Sequence, residues 1–173
     1  MAFFVSLKEK GCRAVKQAKT NAMRILDGKK IDYELMTYDS NDGKIDGVSV
    51  AEKIGKDPKQ VYKTLVAQGV SKQLYVLIVP VEKELNLKKG AQVFGEKKID
   101  MIPVKDIQKW TGYIRGGCSP VGMKKQYPTV IDQSAEELTS IIVSGGKIGV
   151  QMELKLQDLL SVTGGKLAEI ASE

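Results

Sequence analysis

The sequence predicts an α+β domain in which a mixed β-sheet is flanked by short helices. Its 173 residues suit a single domain. Apolar runs typical of strands follow one another, some through hairpin-like turns, and short capped helices are interspersed between them. There is no internal repeat and no Pro/Ser-rich linker. A chain of this size buries roughly 70% of its unfolded surface, so its core needs no disulfide or metal.

The first predicted elements are a helix and a strand. Thr20 is a suitable N-cap for a helix that Gly28 ends. Loose alternation of apolar residues predicts a strand over residues 33–38. Asn41-Asp42-Gly43 then predicts a turn.

Two short helices come next. Ser49 and Glu52 form a capping box for a helix that ends at Gly55. Asp57-Pro58 starts the second helix, with Asp as N-cap and Pro at the first helical position. We expect this segment to change to a strand near Thr64.

The middle of the chain contains its most apolar strand. Residues 74–79 are a continuous apolar run, which predicts a strand buried on both faces. Asn86 caps a helix that ends at Gly95, and Pro103 opens another helix.

The C-terminal part predicts a hairpin between two capped helices. Strands are expected over residues 130–131, 140–143 and 148–154. The pair Gly145-Gly146 is the expected hairpin turn. Ser134 begins a second capping box, and a final helix closes near Gly164.

The chain contains no histidine, which excludes several kinds of site. No Ser-His-Asp or Cys-His arrangement and no His-containing zinc site can be built within one chain. The two cysteines, Cys12 and Cys118, are too few for a Cys-rich metal site. Catalysis must therefore use Lys, Tyr, carboxylates, hydroxyls, backbone N–H groups or the substrate itself. We expect neither a metal nor a cofactor.

The formal net charge of +6 is unevenly distributed. The first 30 residues hold eight basic and two acidic side chains, and the remainder is neutral, with 19 of each. A basic segment on a neutral body suits a polyanion such as RNA, but it is also typical of a solvated lysine-rich helix or tail.

Cysteine content and hydropathy predict a cytoplasmic protein. Two distant cysteines give no disulfide framework, which favours a reducing setting. The longest apolar run, residues 74–81, is far below the ~20 residues of a membrane span. The first seven residues are too short for a signal peptide.

A glycine-rich loop over residues 111–122 is the densest unusual segment. Glycine lets backbone approach a ligand closely. Successive N–H groups at Gly117, Cys118 and Ser119 would form a concave nest for a carbonyl, carboxylate or phosphate, and Pro120 would stiffen the exit. An ordinary surface turn is the alternative.

Lys63, between apolar neighbours, is a candidate for stabilising developing negative charge. Its spacing fits a surface lysine equally well. Cys118 is expected to be a small packed residue rather than a nucleophile, because no histidine can pair with it. Gly145-Gly146 is either a simple hairpin turn or part of the same cleft.

Several blocks, in order and spacing, resemble one bacterial family. They are Lys19-Thr20-Asn21-Ala22, Gln60-Val61-Tyr62-Lys63-Thr64-Leu65, Val79-Pro80-Val81, Leu85-Asn86-Leu87-Lys88-Lys89, Thr111-Gly112-Tyr113, Gly116-Gly117-x-Ser119-Pro120-x-Gly122, Pro128-Thr129-x-Ile131-Asp132 and Val143-Ser144-Gly145-Gly146-Lys147. The family is the Cys-tRNA(Pro)/Cys-tRNA(Cys) deacylases of the YbaK/EbsC type, free-standing relatives of the editing domain inserted in bacterial prolyl-tRNA synthetase. The resemblance predicts an editing domain over residues 19–173 and leaves residues 1–18 as a basic N-terminal extension.

The resemblance implies the fold and the reaction. The sheet should be mixed, strongly bent and partly barrel-like. The reaction should be trans-editing, in which the ester of mischarged Cys-tRNA(Pro) is cleaved with help from the substrate's own thiol or the terminal ribose hydroxyl. Intramolecular attack of this kind can supply ~7–11 kcal/mol of the barrier. The expected partners are the aminoacyl-tRNA 3′ end and prolyl-tRNA synthetase, with no DNA and no membrane.

The resemblance also implies roles for individual residues. Lys63 should be the catalytic residue, with Tyr38 lining the substrate pocket. The complete expected substrate-binding set is Tyr38, Thr64, Gly116, Gly117, Cys118, Ser119, Pro120, Gly145, Gly146 and Gln151. Two of these depart from the family pattern: Gln151 stands where relatives often have Asp, and Cys118 where an aliphatic residue is common.

Two other functions also fit the sequence. One is a sister deacylase for another small amino acid, such as the alanine of Ala-tRNA(Pro). The other is a non-catalytic module that binds tRNA or a synthetase, against which the intact Lys63 and glycine loop argue.

Overall fold

The computed structural model describes residues 18–172, which form five α-helices and eight strands. The helices are α1 (Asn21–Gly28), α2 (Gly47–Lys53), α3 (Leu87–Phe94), α4 (Ile107–Thr111) and α5 (Leu156–Thr163). The strands are β1 (Tyr33–Thr37), β2 (Tyr62–Gly69), β3 (Leu74–Pro80), β4 (Ile99–Met101), β5 (Thr129–Asp132), β6 (Ser140–Lys147), β7 (Val150–Lys155) and β8 (Lys166–Ala168). Short 3₁₀ turns cover Pro58–Gln60, Val104–Asp106 and Gln133–Glu137. The basic N-terminal extension lies almost entirely outside the described residues.

The strands form two sheets, which confirms the α+β prediction. One has the order β1-β7-β6, and the other has the order β4-β2-β3-β5-β8. Pairing is mixed, since β5 is parallel to both β3 and β8 while the other ladders are antiparallel. A parallel bridge between Val61 and Ile142 places β2 beside β6 where the two sheets meet. Within residues 18–172 the sheets do not close on each other, so the expected barrel-like character is minor.

Capping residues set most helix boundaries as predicted. Thr20 accepts from the Met23 N–H to begin α1, and Asn86 accepts from the Lys89 N–H to begin α3. Gly95 and Gly164 end α3 and α5 in the left-handed conformation, in which glycine carries no steric cost.

Both predicted capping boxes were wrong in their first residue. Asp46, not Ser49, caps α2 by accepting from the Ser49 N–H. Asp132, not Ser134, caps the turn Gln133–Glu137 by accepting from the Ser134 N–H. In each case a carboxylate just upstream is the stronger acceptor for the free N–H groups of the first turn.

The predicted hairpin is present, but its turn was misplaced. Ile148 and Gly149 make the turn between β6 and β7, and Gly145 and Gly146 lie within β6. The pairing register shifts between Ser144 and Lys147, which marks a bulge at the two glycines.

The joined sheets bury apolar side chains on both faces. Alternation along β2 puts Tyr62 and Val66 on one face, in a large core that α1 and α5 cover with Leu26 and Leu159. Ala67, from the opposite face of β2, packs in a second core under α3. A small third core contains Val61, Ala51, Val81 and Ile142. Lys63 lies on the face of β2 where this third core meets the second.

Candidate active site

Lys63 lies on the face of β2 between two apolar cores. Its neighbours on that face are Val61, in the third core, and Leu65, packed against the second core. In the ladder it pairs with buried Val79 of β3. Its side chain is 26% exposed, and its Nζ lies 3.4 Å from Glu84 Oε1. Because Glu84 is 84% exposed, this contact is weak and leaves the ammonium free to meet a ligand.

Thr64 points away from Lys63. Successive side chains of a strand face opposite sides of the sheet, so Thr64 shares the large-core face of Tyr62 and Val66. Its hydroxyl is buried without a hydrogen-bond partner among the described residues. The structure therefore separates these two predicted site residues.

Gln151 and Tyr38 share the Lys63 side of the sheet. Register places Gln151 of β7 between Ser144 of β6 and Met36 of β1. Met36 packs against the third core, and by alternation Tyr38 follows it on the same face. The Tyr38 N–H donates to the Gly149 carbonyl at 3.0 Å, and its hydroxyl is buried without a partner among residues 18–172. Two further polar groups therefore lie on the Lys63 face.

The glycine loop packs directly on the β6–β7 hairpin. A Cβ placed on Gly117 would lie 2.7 Å from the Cα of Lys147 and 2.8 Å from the Ile148 nitrogen. Gly116 has φ +86° and faces the side chains of Ile45 and Ile148. Glycine is therefore required at 117 for close approach and at 116 for its backbone conformation.

The predicted nest of three N–H groups is wrong in one member. The Gly117 N–H donates to the Ile114 carbonyl at 3.0 Å, so it is not available to a ligand. The N–H groups of Cys118 and Ser119 have no acceptor within residues 18–172. The Ser119 side chain is fully buried, and its Oγ accepts from the Val121 N–H at 3.2 Å. Two adjacent N–H groups thus remain without an acceptor next to buried Pro120, and Ser119 itself is fully buried.

Cys118 is a packed residue, as the sequence indicated. It is 8% exposed within the large core. Burial raises the pKa of its thiol to about 11, although a contact with the Thr111 hydroxyl at 3.9 Å acts in the opposite direction. A thiol with this pKa is almost fully protonated at neutral pH, so Cys118 is a poor nucleophile.

Gly145 and Gly146 connect the start of α1 to the loop. The Thr20 hydroxyl donates to the Gly145 carbonyl at 2.6 Å. Gly146, with φ +106°, leaves room for Thr20 and the Tyr113 ring, where a Cβ would lie 2.9–3.1 Å from their atoms. The two glycines therefore support the glycine loop through packing.

Lys53 is a residue that the sequence did not single out. Its Nζ donates to the Asp39 carbonyl at 2.7 Å, to Asp42 Oδ1 at 2.7 Å and to the Lys44 carbonyl at 2.9 Å. These contacts tie the segment after Tyr38 to α2, and that segment delivers Ile45 to Gly116. Two of the three acceptors are main-chain carbonyls, so no side-chain pattern could have revealed this arrangement.

A largely buried carboxylate at Glu153, 14% exposed, was also not predicted from the sequence. Glu153 Oε2 accepts from Gln60 Nε2 at 2.8 Å and from the Ser140 hydroxyl. Lys56 Nζ lies 3.2 Å from Oε1, without hydrogen-bonding geometry. These contacts satisfy the charge locally and hold the turn Pro58–Gln60, β6 and β7 together at the sheet junction.

Among residues 18–172, no group of three or more Cys, Asp or Glu side chains is arranged to hold a metal ion. No helix of that described part is long and apolar enough to cross a membrane. A cavity of about 370 Å³ lies at the far end of β2, between Gln68 and Pro103, and none of the predicted site residues line it.

Comparison with known proteins gives consistent matches. Residues 46–162 match the aminoacyl-tRNA editing domain family. A relative from Enterococcus faecalis, proposed as the Cys-tRNA(Pro)/Cys-tRNA(Cys) deacylase EbsC, is 43% identical over 157 residues, covering 91% of this chain and 96% of the relative. An uncharacterised Bacillus subtilis protein, YwhH, is 24% identical over 117 residues, covering 68% of this chain and 74% of its own.

Solved structures share the fold. A proposed trans-editing enzyme for prolyl-tRNA synthetase superposes with a TM-score of 0.77 at 20% identity, over 91% of this chain and 100% of its own. A hypothetical protein superposes with a TM-score of 0.80 at 18% identity, over 88% of this chain and 99% of its own. The family match and the EbsC relative together show that this chain belongs to the aminoacyl-tRNA editing domain family.

Proposed function

We propose that this protein is a trans-editing deacylase that cleaves the ester between mischarged cysteine and the 3′-terminal adenosine of tRNA(Pro). The observation that carries the proposal is the 43% identity, over 91% of the chain, to a relative proposed as a Cys-tRNA(Pro)/Cys-tRNA(Cys) deacylase. The position of Lys63 between two apolar cores supports it.

Lys63 stabilises the negative charge that develops on the ester carbonyl oxygen. Its flanks are apolar, and its weak contact to exposed Glu84 is easily replaced by a ligand. A positive charge in such a partly desolvated position interacts more strongly than it would in water. The Cys118 N–H group, which has no acceptor among residues 18–172, is an additional donor in the glycine loop. Tyr38 and Gln151 have the polar groups to orient the ester.

The attacking group comes from the substrate or from water. Histidine is absent, and the only thiol among the described residues, Cys118, is buried and protonated. In the thiol route, the substrate sulfur bonds to its own carbonyl carbon, the carbon–O3′ bond breaks, and the thiol proton passes to the leaving O3′. The resulting cysteine thiolactone is then opened by water to free cysteine. A reducing cytoplasm, in which the substrate thiol stays free, is the compartment that fits this route.

A substrate panel tests the proposal. Cys-tRNA(Pro), Ala-tRNA(Pro), Pro-tRNA(Pro) and S-methyl-Cys-tRNA(Pro) are incubated separately with the protein, and loss of the ester is followed. We expect the cysteine ester alone to be cleaved rapidly. Faster cleavage of the alanine ester would assign the protein to the sister activity, and survival of every ester at its uncatalysed rate would reject the enzyme. Rapid cleavage of the S-methyl ester would exclude the thiol route in favour of water.

Prolyl-tRNA synthetase is the partner that we propose for tRNA selection. The site residues act on the aminoacyl ester at the 3′-terminal adenosine, which all tRNAs share. We therefore expect the isolated protein to deacylate Cys-tRNA(Cys) as well as Cys-tRNA(Pro). Adding prolyl-tRNA synthetase should favour Cys-tRNA(Pro), and equal rates with and without the synthetase would contradict its role.

A further inference from the structure

Two segments, one of which contains the glycine loop, carry the net positive charge of the described chain. Residues 18–30 and 107–131 together contain eight basic side chains and one acidic side chain. The other residues between 18 and 172 contain fifteen basic and eighteen acidic side chains. The net positive charge of the described chain therefore lies in these two segments, and the remainder is slightly acidic.

The two segments are joined in space at the glycine loop. Asn21 Nδ2 donates to the Gly122 carbonyl at 2.6 Å, and the Gly122 position lies against the Ala22 nitrogen. The Lys124 N–H donates to the Thr111 carbonyl, and Lys124 Nζ donates to the Lys109 carbonyl. These contacts place the start of α1 against the end of the glycine loop, next to Lys109 and Lys124. We call the basic side chains of the two segments the basic face, defined by Arg24, Lys29, Lys30, Lys109, Arg115, Lys124 and Lys125.

The charges of the basic face are not neutralised within the described chain. All seven side chains belong to exposed residues, and none has an ion-pair partner among residues 18–172. The one acidic residue of the two segments, Asp27, is paired with Lys19. Of the fifteen basic residues elsewhere between 18 and 172, five pair with carboxylates, and that remainder also holds eighteen acidic side chains.

We propose that the basic face is the docking surface for the phosphodiester backbone of the tRNA acceptor end. This inference rests on the proposed function, in which the reacting ester lies at the 3′ terminus beside the glycine loop. RNA entering the site must pass over the surface that borders this loop. Unpaired, exposed Lys and Arg side chains bind phosphates without reading sequence, and each contact releases counterions. An acidic protein surface would be attracted to the same charges, but it has no reason to be centred on the loop.

A charge-reversal pair with a matched control tests the docking surface. R24E/K125E removes one cation from each segment, and neither side chain makes a hydrogen bond or ion pair within the described chain. K88E/K97E makes the same charge change on exposed residues of α3 and the following loop. Deacylation of Cys-tRNA(Pro) and of a cysteine ester of adenosine is measured for each variant in full-length form, across a salt series.

We expect R24E/K125E to lose at least tenfold in kcat/KM on Cys-tRNA(Pro) and to keep its rate on the adenosine ester. The slope of log affinity against log salt for labelled tRNA should decrease in magnitude by about 1.5, the value for two lost phosphate contacts. K88E/K97E should match the unmodified protein in both assays. Equal losses on both substrates, equal losses in the control, or unchanged tRNA affinity would each overturn the proposal.

The measurement of tRNA affinity tests this inference independently of the proposed function. If no ester is cleaved, the deacylase proposal fails, and the tRNA affinities still decide the docking surface. If R24E/K125E keeps its tRNA affinity but loses binding to prolyl-tRNA synthetase, the face is a protein interface and the RNA assignment is wrong.

Discussion

Gly117 and Lys147 approach so closely that the glycine loop and strand β6 are in backbone contact. A Cβ on Gly117 would lie 2.7 Å from the Lys147 Cα, nearer than real Cβ atoms come to backbone. The loop that contains the Cys118 and Ser119 N–H groups can therefore lie against the hairpin only because residue 117 has no side chain.

Gly117→Ala should therefore displace the loop. Main-chain atoms of β6 cannot yield as a flexible side chain would, and a shift of about 1 Å at a catalytic group costs on the order of 100-fold in rate. We expect kcat/KM on Cys-tRNA(Pro) to fall by about this factor. Gly28→Ala is the control, because a Cβ added there, at the end of α1, would meet no heavy atom within 4 Å. Equal activity of the two variants would contradict the importance of the close contact.

Lys53→Met should release the segment that covers the glycine loop. The lysine supplies three hydrogen bonds to residues 39–44, and methionine supplies none while keeping a similar length. Because Lys53 acts through Tyr38 and Ile45, we expect KM to rise several-fold and kcat to change less. Lys59→Met, on an exposed lysine of the turn Pro58–Gln60, should leave both constants unchanged. A fall in kcat alone would contradict a positioning role.

Cys118 should be dispensable for catalysis and slow to react. Burial raises the pKa of its thiol to about 11, so the thiolate population is very small at neutral pH. In a C12S background, alkylation of Cys118 by iodoacetamide should be slow at pH 7 and accelerate steadily up to pH 10. C118V should retain deacylation, since valine is another small apolar residue. Complete loss of activity in a folded C118V variant would make the thiol part of the mechanism.

Asp132 should stabilise the fold in a pH-dependent way. Its carboxylate is 5% exposed and accepts from the N–H groups of Ser134, Ile170 and Ala171 at 2.9–3.1 Å. Burial alone would raise its pKa, but these hydrogen bonds outweigh burial and lower it. Asp132→Ala should reduce the free energy of unfolding at pH 7 by about 2–3 kcal/mol, the usual cost of leaving buried donors without a charged acceptor.

The pH dependence follows from the direction of this shift. A carboxyl whose pKa is lowered in the folded state contributes its full stabilisation above its unfolded pKa of ~3.9 and loses it as pH falls through the folded value. Urea titrations from pH 7 to pH 2 should therefore show the unmodified protein and Asp132→Asn converging as pH falls below about 4. A constant difference across this range would show that the ionised carboxylate is not the cause.

Sequence patterns predicted the elements with strong local signals and missed the others. The apolar run gave β3, in which every residue from Leu74 to Pro80 is buried. The strands β4 and β8 have only three residues each, too few to show a periodic pattern of apolar residues. They form strands because they pair with β2 and β5, which are distant in sequence. Gly145-Gly146 was misassigned as a turn, since two glycines are equally compatible with a bulge within a strand.

The site shows the same division between local and long-range information. Lys63 and the glycine loop were identified from contiguous motifs. The opposite orientation of Thr64 follows from strand alternation once β2 is known to begin at Tyr62. The Lys53 contacts were not predictable, because they depend on the path of a loop and on main-chain acceptors. The basic face was hidden as well, since its two segments are about 90 residues apart in sequence.

The most direct test of the role assigned to Lys63 compares the single-turnover rates at which Lys63→Ala and Lys59→Ala deacylate Cys-tRNA(Pro). Lys59 is a nearby exposed lysine that lies outside the site, so it controls for loss of one positive charge. We expect Lys63→Ala to reduce the rate by about 100-fold or more, as the loss of a charge-stabilising group does, and Lys59→Ala to leave it unchanged. A folded Lys63→Ala variant that cleaves Cys-tRNA(Pro) at the unmodified rate would contradict a catalytic role for Lys63.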